Sequence, residues 1–260
     1  MAMLQVSYYS EAMRREVTFN ALIPLDTMEG KQENAQLPMR SLYLLHGLTG
    51  SFTDWLSYSR IRELSDKYHI AVFMPSGENH FYLDDTDIGA LHGEFVGNEL
   101  VNYTRKLFPI SNRREDTFIG GLSMGGFGAI RNGLKYAENF SKIIALSSAL
   151  ITYNAQNAKS DYNDGISDYN YLKRVFGDLT QLQGSDKDPE ALITNLKQSN
   201  GNIPEIYMAC GTEDFLVDLN RRFRDFLNTE QVDFTYVEDS GDHNWAFWDK
   251  YIEKGLLWLP

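Results

Sequence analysis

The pentapeptide Gly121–Gly125 (GLSMG) constrains the fold more than any other feature of this sequence. An apolar, strand-like run, Asp116–Gly120, precedes it, and an Ala/Gly-rich, helix-like run, Phe127–Lys135, follows it. A serine between a strand and a helix must occupy a sharp turn, and backbone strain of that kind costs about 1–3 kcal/mol. Glycines two residues before and after Ser123 let the strand and the helix approach without a Cβ clash. The pattern therefore predicts a strand, a strained turn and a helix in immediate succession.

Short apolar segments alternate with helix-period segments along most of the chain. We predict strands at Leu4–Tyr9, Glu16–Leu25, Arg40–His46, Ile70–Pro75, Thr117–Gly120, Lys142–Leu146, Glu205–Cys210 and Val232–Glu238. We predict helices at Trp55–Tyr68, Gly97–Leu107, Gly126–Lys135, Leu219–Leu227 and Trp245–Leu257. The first two strands precede any helix and should pair antiparallel, whereas the later alternation requires crossover connections. The prediction is an α/β fold with a mainly parallel sheet and helices on both faces.

Two regions interrupt this alternation. Asp26–Pro38 is polar, contains Gly30 and is predicted to form a surface hairpin or loop. Residues 151–202 are polar and rich in Tyr, Asn and Asp, with helix-like pieces at Tyr169–Phe176 and Pro189–Ser199. A segment of that length is too long for a structureless loop in a compact domain. We interpret it as a cap-like insertion within a single domain of residues 1–260, or as a surface insertion without a role.

Composition argues against several classes of partner. The chain has 24 Lys and Arg against 36 Asp and Glu, which gives a net charge of −12. Such a surface repels nucleic-acid phosphates and anionic lipids. The single cysteine, Cys210, permits no internal disulfide, as expected in a reducing compartment. The sequence shows no signal-peptide pattern. It also has no apolar run that approaches the length of ~18 residues needed to span a membrane. We expect a cytoplasmic protein that binds neither nucleic acid nor membrane.

The context of Ser123 points to nucleophilic catalysis. G-x-S-x-G between a strand and a helix is the nucleophile elbow of α/β-hydrolases. A serine nucleophile needs a general base and an acid that orients the base, and in this fold they follow in the order Ser, acid, His. Of five histidines, only His243 follows Ser123. It lies in a polar loop between the last predicted strand and the last predicted helix, so we predict that it is the base.

The acid must lie between the serine and the histidine, shortly after a strand. Asp214 follows an apolar predicted strand by a short turn and is the preferred candidate. Asp218, one helical turn later, is the alternative. The neighbouring side chain of Glu213 should point elsewhere, and Asp239 and Asp242 are too close to the histidine along the chain to reach its ring easily.

An oxyanion hole needs two preorganised N–H donors. We predict the amide of Met124, at the start of the helix after the serine, as one donor. The segment Leu44–Gly50 (LLHGLTG) is an apolar strand that runs into an H-G-x-x-G loop, and it would supply the other. Leu48 is the preferred donor, with Gly47 as the alternative. His46 is predicted to be a structural hydrogen-bonding residue.

No metal or cofactor site is evident from spacing. The histidines are scattered and form no H-E-x-x-H or H-x-H pattern. Asp84–Asp87 lacks the Gly and Glu spacing of an EF-hand loop and is predicted to be a solvated acidic loop. The chain also lacks a P-loop and a dinucleotide fingerprint. We therefore expect no metal and no cofactor.

Several aromatic and apolar side chains are open to two interpretations. Trp55, Phe81, Tyr82 and Trp245 either line a substrate pocket or pack in the core. The C-terminal Leu256–Leu259 and the aromatics of the long polar segment offer an interface for a homo-oligomer. Docking of the last helix on its own core explains the C-terminal residues equally well.

Four motifs together resemble those of the esterase D and S-formylglutathione hydrolase group, most closely the bacterial tributyrin esterases. They are Leu44–Trp55 (LLHGLTGSFTDW), Gly120–Gly128 (GGLSMGGFG), Gly211–Leu216 (GTEDFL) and Gly241–Trp248 (GDHNWAFW). The motifs occur in family order from about residue 40 to the C-terminus, so the resemblance covers most of the chain.

The resemblance implies hydrolysis of short-chain acyl esters through an acyl-serine intermediate, without a cofactor. Ser123 would be the nucleophile, His243 the base and Asp214 the orienting acid, with Leu48 and Met124 as oxyanion donors. The polar segment 151–202 and the single cysteine depart from the formylglutathione enzymes, so a thioesterase of the S-formylglutathione hydrolase type is the alternative to the expected esterase. Related feruloyl and acetylxylan esterases share the core, and an acyltransferase would use the same acyl-enzyme. A hydrolase-fold binding module usually lacks a triad member, and here all three are present.

Overall fold

The computed structural model describes residues 1–25 and 37–260, so most of the predicted Asp26–Pro38 loop lies outside the described residues. The strands are β1 Ala2–Ser10, β2 Arg15–Ile23, β3 Arg40–Leu45, β4 Ile70–Pro75, β5 Asp84–Asp85, β6 Ala90–Leu91, β7 Thr117–Leu122, β8 Lys142–Leu146, β9 Glu205–Gly211 and β10 Phe234–Asp239. The α-helices are α1 Asp54–Tyr58, α2 Ile61–Lys67, α3 His92–Glu94, α4 Leu100–Leu107, α5 Met124–Lys135, α6 Thr152–Ala155, α7 Tyr169–Phe176, α8 Pro189–Gln198, α9 Val217–Thr229 and α10 Trp245–Trp258.

Eight strands form one mixed sheet in the order β1-β2-β4-β3-β7-β8-β9-β10. The first pair is antiparallel, as predicted, and β2 also pairs antiparallel with β4. From β4 to β10 every neighbouring pair is parallel. The short strands β5 and β6 form a separate hairpin that sequence analysis did not predict. The predicted fold class, a mostly parallel sheet of the α/β-hydrolase type, is confirmed.

Apolar clusters cover both faces of the sheet. The larger cluster includes Phe73, Phe127 and Phe140, and it lies on the face that packs against α5. The second includes Trp55 and Tyr251, and it lies on the face that packs against α2 and α10. Burial of both faces explains why the central strands consist of nearly continuous apolar residues. Since parallel strands end at the same edge, the loops after β3, β7 and β9 meet there.

The predicted helix Trp55–Tyr68 is divided into α1 and α2. The division occurs at Ser59, whose hydroxyl donates to the Trp55 carbonyl and accepts from the Ile61 amide. Serine competes in this way with the backbone bonds of a helix. The following Arg60 amide then donates to Asp249 of α10, 2.7 Å away. A local side-chain bond and a long-range contact thus redirect the chain between α1 and α2.

The predicted helix Gly97–Leu107 begins earlier, at His92. Asp84 accepts hydrogen bonds from the amides of Gly93 and Glu94, at 2.7 and 3.0 Å. A carboxylate in that position satisfies amides that the helix itself cannot pair. Asp84 is therefore a helix cap, partly buried, and not the solvated carboxylate that the sequence suggested.

The segment 151–202 contains α6, α7 and α8, and the two predicted helical pieces are present. Phe176 packs against Phe81 and Phe127, with ring centroids 5.3 and 6.1 Å apart. The fully buried guanidinium of Arg131 on α5 donates to both the carbonyl and the carboxylate of Asp186. The segment is thus anchored to α5 and shares the larger apolar cluster.

The C-terminal run docks on the second cluster through Leu256 of α10 and through Leu259, which follows the helix; both are buried, while Leu257 is exposed. Packing within the chain therefore accounts for most of the C-terminal apolar run. In the described ranges, no helix combines the length and apolar character needed to cross a bilayer.

Candidate active site

Ser123 lies in the turn between β7 and α5 with φ 53° and ψ −118°. A non-glycine residue with positive φ is strained, and such strain persists only where the surroundings enforce it. Here the Ser123 amide donates to the Leu146 carbonyl at 2.9 Å, and the Ser123 carbonyl accepts from the amides of Phe127 and Ala149. Bonds from β8 and from the following loop thus fix the turn that the pentapeptide predicted.

The two glycines flanking Ser123 permit very close packing. A Cβ on Gly121 would lie 2.4 Å from the Gly125 carbonyl oxygen. A Cβ on Gly125 would lie 2.5 Å from the carbonyl oxygens of both Leu45 and His46. These contacts are with backbone atoms, which cannot rotate away. The first turn of α5 therefore lies directly against the end of β3.

We expect Gly125→Ala to destabilise the fold and to displace the loop after β3. The added methyl group would overlap two backbone carbonyls, and overpacking of this kind costs about 1–3 kcal/mol. Urea unfolding should show a lower midpoint with an unchanged m-value. A variant as stable as wild type would mean that the first turn of α5 does not lie directly against the end of β3.

Ser123, His243 and Asp214 form a continuous chain of hydrogen bonds. Ser123 Oγ lies 3.0 Å from His243 Nε2, and His243 Nδ1 lies 2.9 Å from Asp214 Oδ2. The three side chains come from the loops after β7, β10 and β9, at one edge of the sheet. All three residues selected from the sequence are thus brought together.

Asp214 is buried and accepts a further hydrogen bond from the Leu216 amide, at 2.9 Å. Burial alone raises the pKa of Asp214, but the hydrogen bond and charge of His243, the Leu216 amide and the neighbouring Ser147 hydroxyl lower it by more. The pKa therefore lies below the usual value, and the carboxylate is ionised at neutral pH. An ionised carboxylate only accepts, so His243 Nδ1 carries the hydrogen and Nε2 is free to accept from Ser123.

The other carboxylates near this site have different partners. Asp218 is exposed and pairs with Arg221, so it does not take the alternative role. Glu213 accepts from the Gly241 amide, and Asp242 accepts from the backbone amide of the histidine. They brace the loop that carries the histidine and do not reach its ring nitrogens.

Two aromatic rings flank the histidine, and sequence reasoning assigned neither to the site. Trp248 packs edge-on against the His243 ring with centroids 4.9 Å apart, and its Nε1 donates to Ser147 Oγ at 3.1 Å. Phe215 lies 4.6 Å from the same ring and is 62 % exposed. Trp248 is the last residue of the motif Gly241–Trp248, so the sequence contained a signal for its place beside the histidine. The contact between Trp248 and Ser147 depends on tertiary structure.

His46 is a structural hydrogen-bonding residue, as predicted. It is buried, its Nδ1 lies 2.7 Å from the Gly47 carbonyl oxygen, and its Nε2 lies 2.9 Å from the Gly77 amide. Because an amide can only donate, Nε2 is the acceptor and Nδ1 carries the hydrogen. Burial lowers the pKa of His46, although the Gly47 carbonyl and Asp54 oppose the change.

We expect His46 to make the fold less stable in mild acid. Its pKa is lower in the folded state than its unfolded value of about 6.5. Below that pH the unfolded chain binds more protons, so the free energy of unfolding falls, by up to about 1.4 kcal/mol per pH unit from this group. Urea unfolding between about pH 7.5 and 5.5 should give a shallower decline for His46→Gln than for wild type. Equal declines in the free energy of unfolding of the two proteins would contradict a lowered pKa of His46 in the folded state.

The loop after β3 lies beside Ser123. A Cβ on Gly47 would be 3.5 Å from the Ser123 Cβ. The Thr49 amide is engaged with Asn79 Oδ1 at 2.8 Å, and the Gly50 amide with the Gly47 carbonyl at 3.2 Å. The amides of Gly47 and Leu48 are therefore the candidate donors of this loop. The amide of Met124 opens α5, where the first amides have no partner within the helix.

Three of the four aromatic residues considered for a pocket are core residues. Trp55, Phe81 and Tyr82 are buried, and the Trp55 Nε1 donates to the Leu45 carbonyl at 3.0 Å. Trp245 is only partly buried and packs edge-on against Trp55 with centroids 5.2 Å apart.

A group of metal-ligand residue types occurs outside this site, and sequence spacing did not reveal it. Glu78, His80 and His92 place one ligand atom each within 4.8 Å of one another. The first two belong to the loop after β4, and the third begins α3. Because no short motif joins them, only the tertiary structure shows the group.

Comparison with known proteins agrees with this geometry. The family described as putative esterase matches residues 10–259. An acetyl esterase of Caldicellulosiruptor saccharolyticus is 52 % identical over 261 residues, an alignment that covers 100 % of this chain and 98 % of the relative.

Two solved structures from Staphylococcus aureus have the same fold over nearly the whole chain. The fluorophosphonate-binding serine hydrolase FphF matches with TM-score 0.86 and 28 % identity, covering 99 % of this chain and 98 % of its own. The S-formylglutathione hydrolase FrmB matches with TM-score 0.84, the same identity and the same coverage. The chain is a carboxylic ester hydrolase and belongs to the putative esterase family, within its group of esterase D and S-formylglutathione hydrolase-like proteins.

Proposed function

We propose that this protein is a serine esterase that hydrolyses short-chain acyl esters, with Ser123, His243 and Asp214 as its catalytic triad. The hydrogen-bonded chain from Ser123 Oγ through the imidazole to the Asp214 carboxylate carries the proposal. A serine hydroxyl is a weak nucleophile without an adjacent base, and these distances place that base in reach.

In the first half of the reaction, Ser123 Oγ attacks the ester carbonyl carbon while its proton passes to His243 Nε2. The C–O bond to the alcohol then breaks, and the imidazolium returns the proton to the leaving alkoxide. Asp214 stays ionised and stabilises the imidazolium through Nδ1–H. Water then attacks the acyl-serine with the same histidine as base, which releases the carboxylic acid and restores Ser123.

The negative charge on the carbonyl oxygen requires donors fixed in advance. We assign the amides of Met124 and Leu48, with Gly47 as the alternative on the loop. Met124 is supported by its place at the start of α5, where the helix dipole also favours an anion. The loop is supported by its contact with Ser123 and by the bonds from His46 that hold it. Losing one such donor costs about 2.7–4 kcal/mol of transition-state stabilisation in well-studied enzymes.

The preference for short acyl groups is supported by the relative named acetyl esterase, which is similar over the whole chain. We assign the segment 151–202 the role of a cap that influences substrate choice. Two contacts support this role. Ala149, just before the segment, donates to the Ser123 carbonyl. The Tyr171 hydroxyl of the segment donates to the Asn79 carbonyl, 2.7 Å away, and Asn79 in turn accepts from the Thr49 amide.

Hydrolysis of p-nitrophenyl esters from acetate to decanoate tests the proposed substrate class. The proposal predicts the highest kcat/KM at two to four acyl carbons and a steep decline beyond. S-formylglutathione serves as the comparison substrate, because one similar structure is an S-formylglutathione hydrolase. A preference for long chains, or for the thioester by more than tenfold, would contradict a short-chain ester specificity.

A further inference from the structure

We propose that Glu78, His80 and His92 form a binding site for a divalent transition-metal ion such as Zn²⁺. The three ligand atoms lie within 4.8 Å of one another, and the rings of His80 and His92 are stacked with centroids 4.9 Å apart. In a tetrahedral site with bonds of about 2.0–2.2 Å, the ligand atoms are separated by about 3.4 Å. Because a metal ion lies in the plane of each imidazole that binds it, coordination would require the stacked rings to rotate as well as the three side chains to move inward.

The state of His92 indicates that the site is built for a partner. Its side chain is fully buried, yet among the described residues neither ring nitrogen has a hydrogen-bond partner. A buried polar atom left without a partner costs about 1–3 kcal/mol, and such groups are rare in native proteins. A metal ion bound by one ring nitrogen would satisfy that atom.

Glu78 divides its two carboxylate oxygens between different neighbours. Oε1 is paired with Arg15, whereas Oε2 faces His92 Nε2 at 3.9 Å. The ion pair orients the carboxylate and leaves Oε2 available for a metal ion. Hydrogen bonding of a ligand by a second group in this manner is a usual feature of metal sites.

The donor set selects the kind of ion. Two imidazoles and one carboxylate suit Zn²⁺ and neighbouring transition metals, whereas Ca²⁺ and Mg²⁺ prefer oxygen ligands alone. Glu78 is exposed and His80 is partly exposed, so the fourth position would face solvent and hold water.

The site would brace the loop that approaches Ser123. Asn79, between two of the proposed ligands, accepts from the Thr49 amide at 2.8 Å, next to Leu48. A metal ion held by the residues on both sides of Asn79 would fix its position. The proposed metal site does not depend on the proposed esterase mechanism, and its test measures binding and stability, not turnover.

Chelator-treated protein titrated with ZnCl₂ in a calorimeter should bind one ion with Kd below about 10 µM, which is weaker than the closed four-ligand zinc sites of zinc fingers require. Zn²⁺ at 100-fold over Kd should raise Tm by about 5 °C. Co²⁺ in its place should give the visible absorption of a four-coordinate ion. His80→Ala and Glu78→Gln, at positions that are not fully buried, should each weaken binding at least tenfold.

Two control variants separate this site from other histidines. His69→Asn alters an exposed histidine elsewhere and should bind Zn²⁺ as wild type does. His243→Ala should also keep the binding, which would exclude the triad as the site. Absence of binding to wild type at about 100 µM Zn²⁺, unchanged binding by both His80→Ala and Glu78→Gln, or loss of binding in His243→Ala would each overturn the proposal.

Discussion

Replacing Ser123 with alanine is expected to lower kcat for short-chain esters by about 10⁵- to 10⁶-fold, because no other group can form the acyl-enzyme. Residual catalysis over the uncatalysed reaction should survive, since the oxyanion donors and substrate binding remain. Steady-state hydrolysis of p-nitrophenyl acetate by the purified variant measures the effect.

Ser57→Ala is the matched control for this substitution. Ser57 is exposed on α1, and its hydroxyl donates to the Thr53 carbonyl at 3.0 Å. This control should keep wild-type kcat, and both variants should keep the wild-type circular dichroism spectrum. If folded Ser123→Ala retained a tenth of the activity, Ser123 could not be the nucleophile.

Asp214→Asn is expected to lower kcat by about 10⁴-fold, whereas Asp218→Asn should change it less than twofold. Asparagine keeps the shape of Asp214 but removes the charge that stabilises the imidazolium, and it favours the wrong tautomer of His243. Asp218 is exposed and pairs with Arg221, so the loss of its charge affects one surface ion pair worth about 0–1 kcal/mol. Steady-state kinetics of the two variants, measured in parallel, compare the loss of Asp214 with the loss of Asp218, which lies one helical turn away.

Comparable losses of kcat in both variants, or a larger loss in Asp218→Asn, would mean that Asp214 is not the orienting acid.

Much of the fold could be predicted because it depends on local periodicity and chain order. The strands β4 and β8 have the predicted bounds, since continuous apolar runs end at polar or turn residues. The positions of Ser123 and Asp214 also followed from local sequence, because each comes directly after a strand. The selection of His243 required only that it is the histidine that follows the serine.

Features that depend on long-range contacts could not be predicted. Asp84 looked like a solvated acid because its bonds to the start of α3 reach nine and ten residues along the chain, across the β5–β6 hairpin. The pairing of Arg131 with Asp186 joins residues 55 positions apart, and no periodicity encodes it. The group of Glu78, His80 and His92 arises in the same way, from a loop and a helix start that only the folded chain brings together.

Labelling with a fluorophosphonate, followed by peptide mass spectrometry, tests directly whether Ser123 is an activated nucleophile. Such probes form a covalent bond with an activated serine hydroxyl and release fluoride. We expect one phosphonylated residue per chain, on the peptide that contains Ser123, and no label in Ser123→Ala. Label on any other serine, or an unlabelled but folded wild-type protein, would contradict the claim that Ser123 and His243 form an active nucleophile.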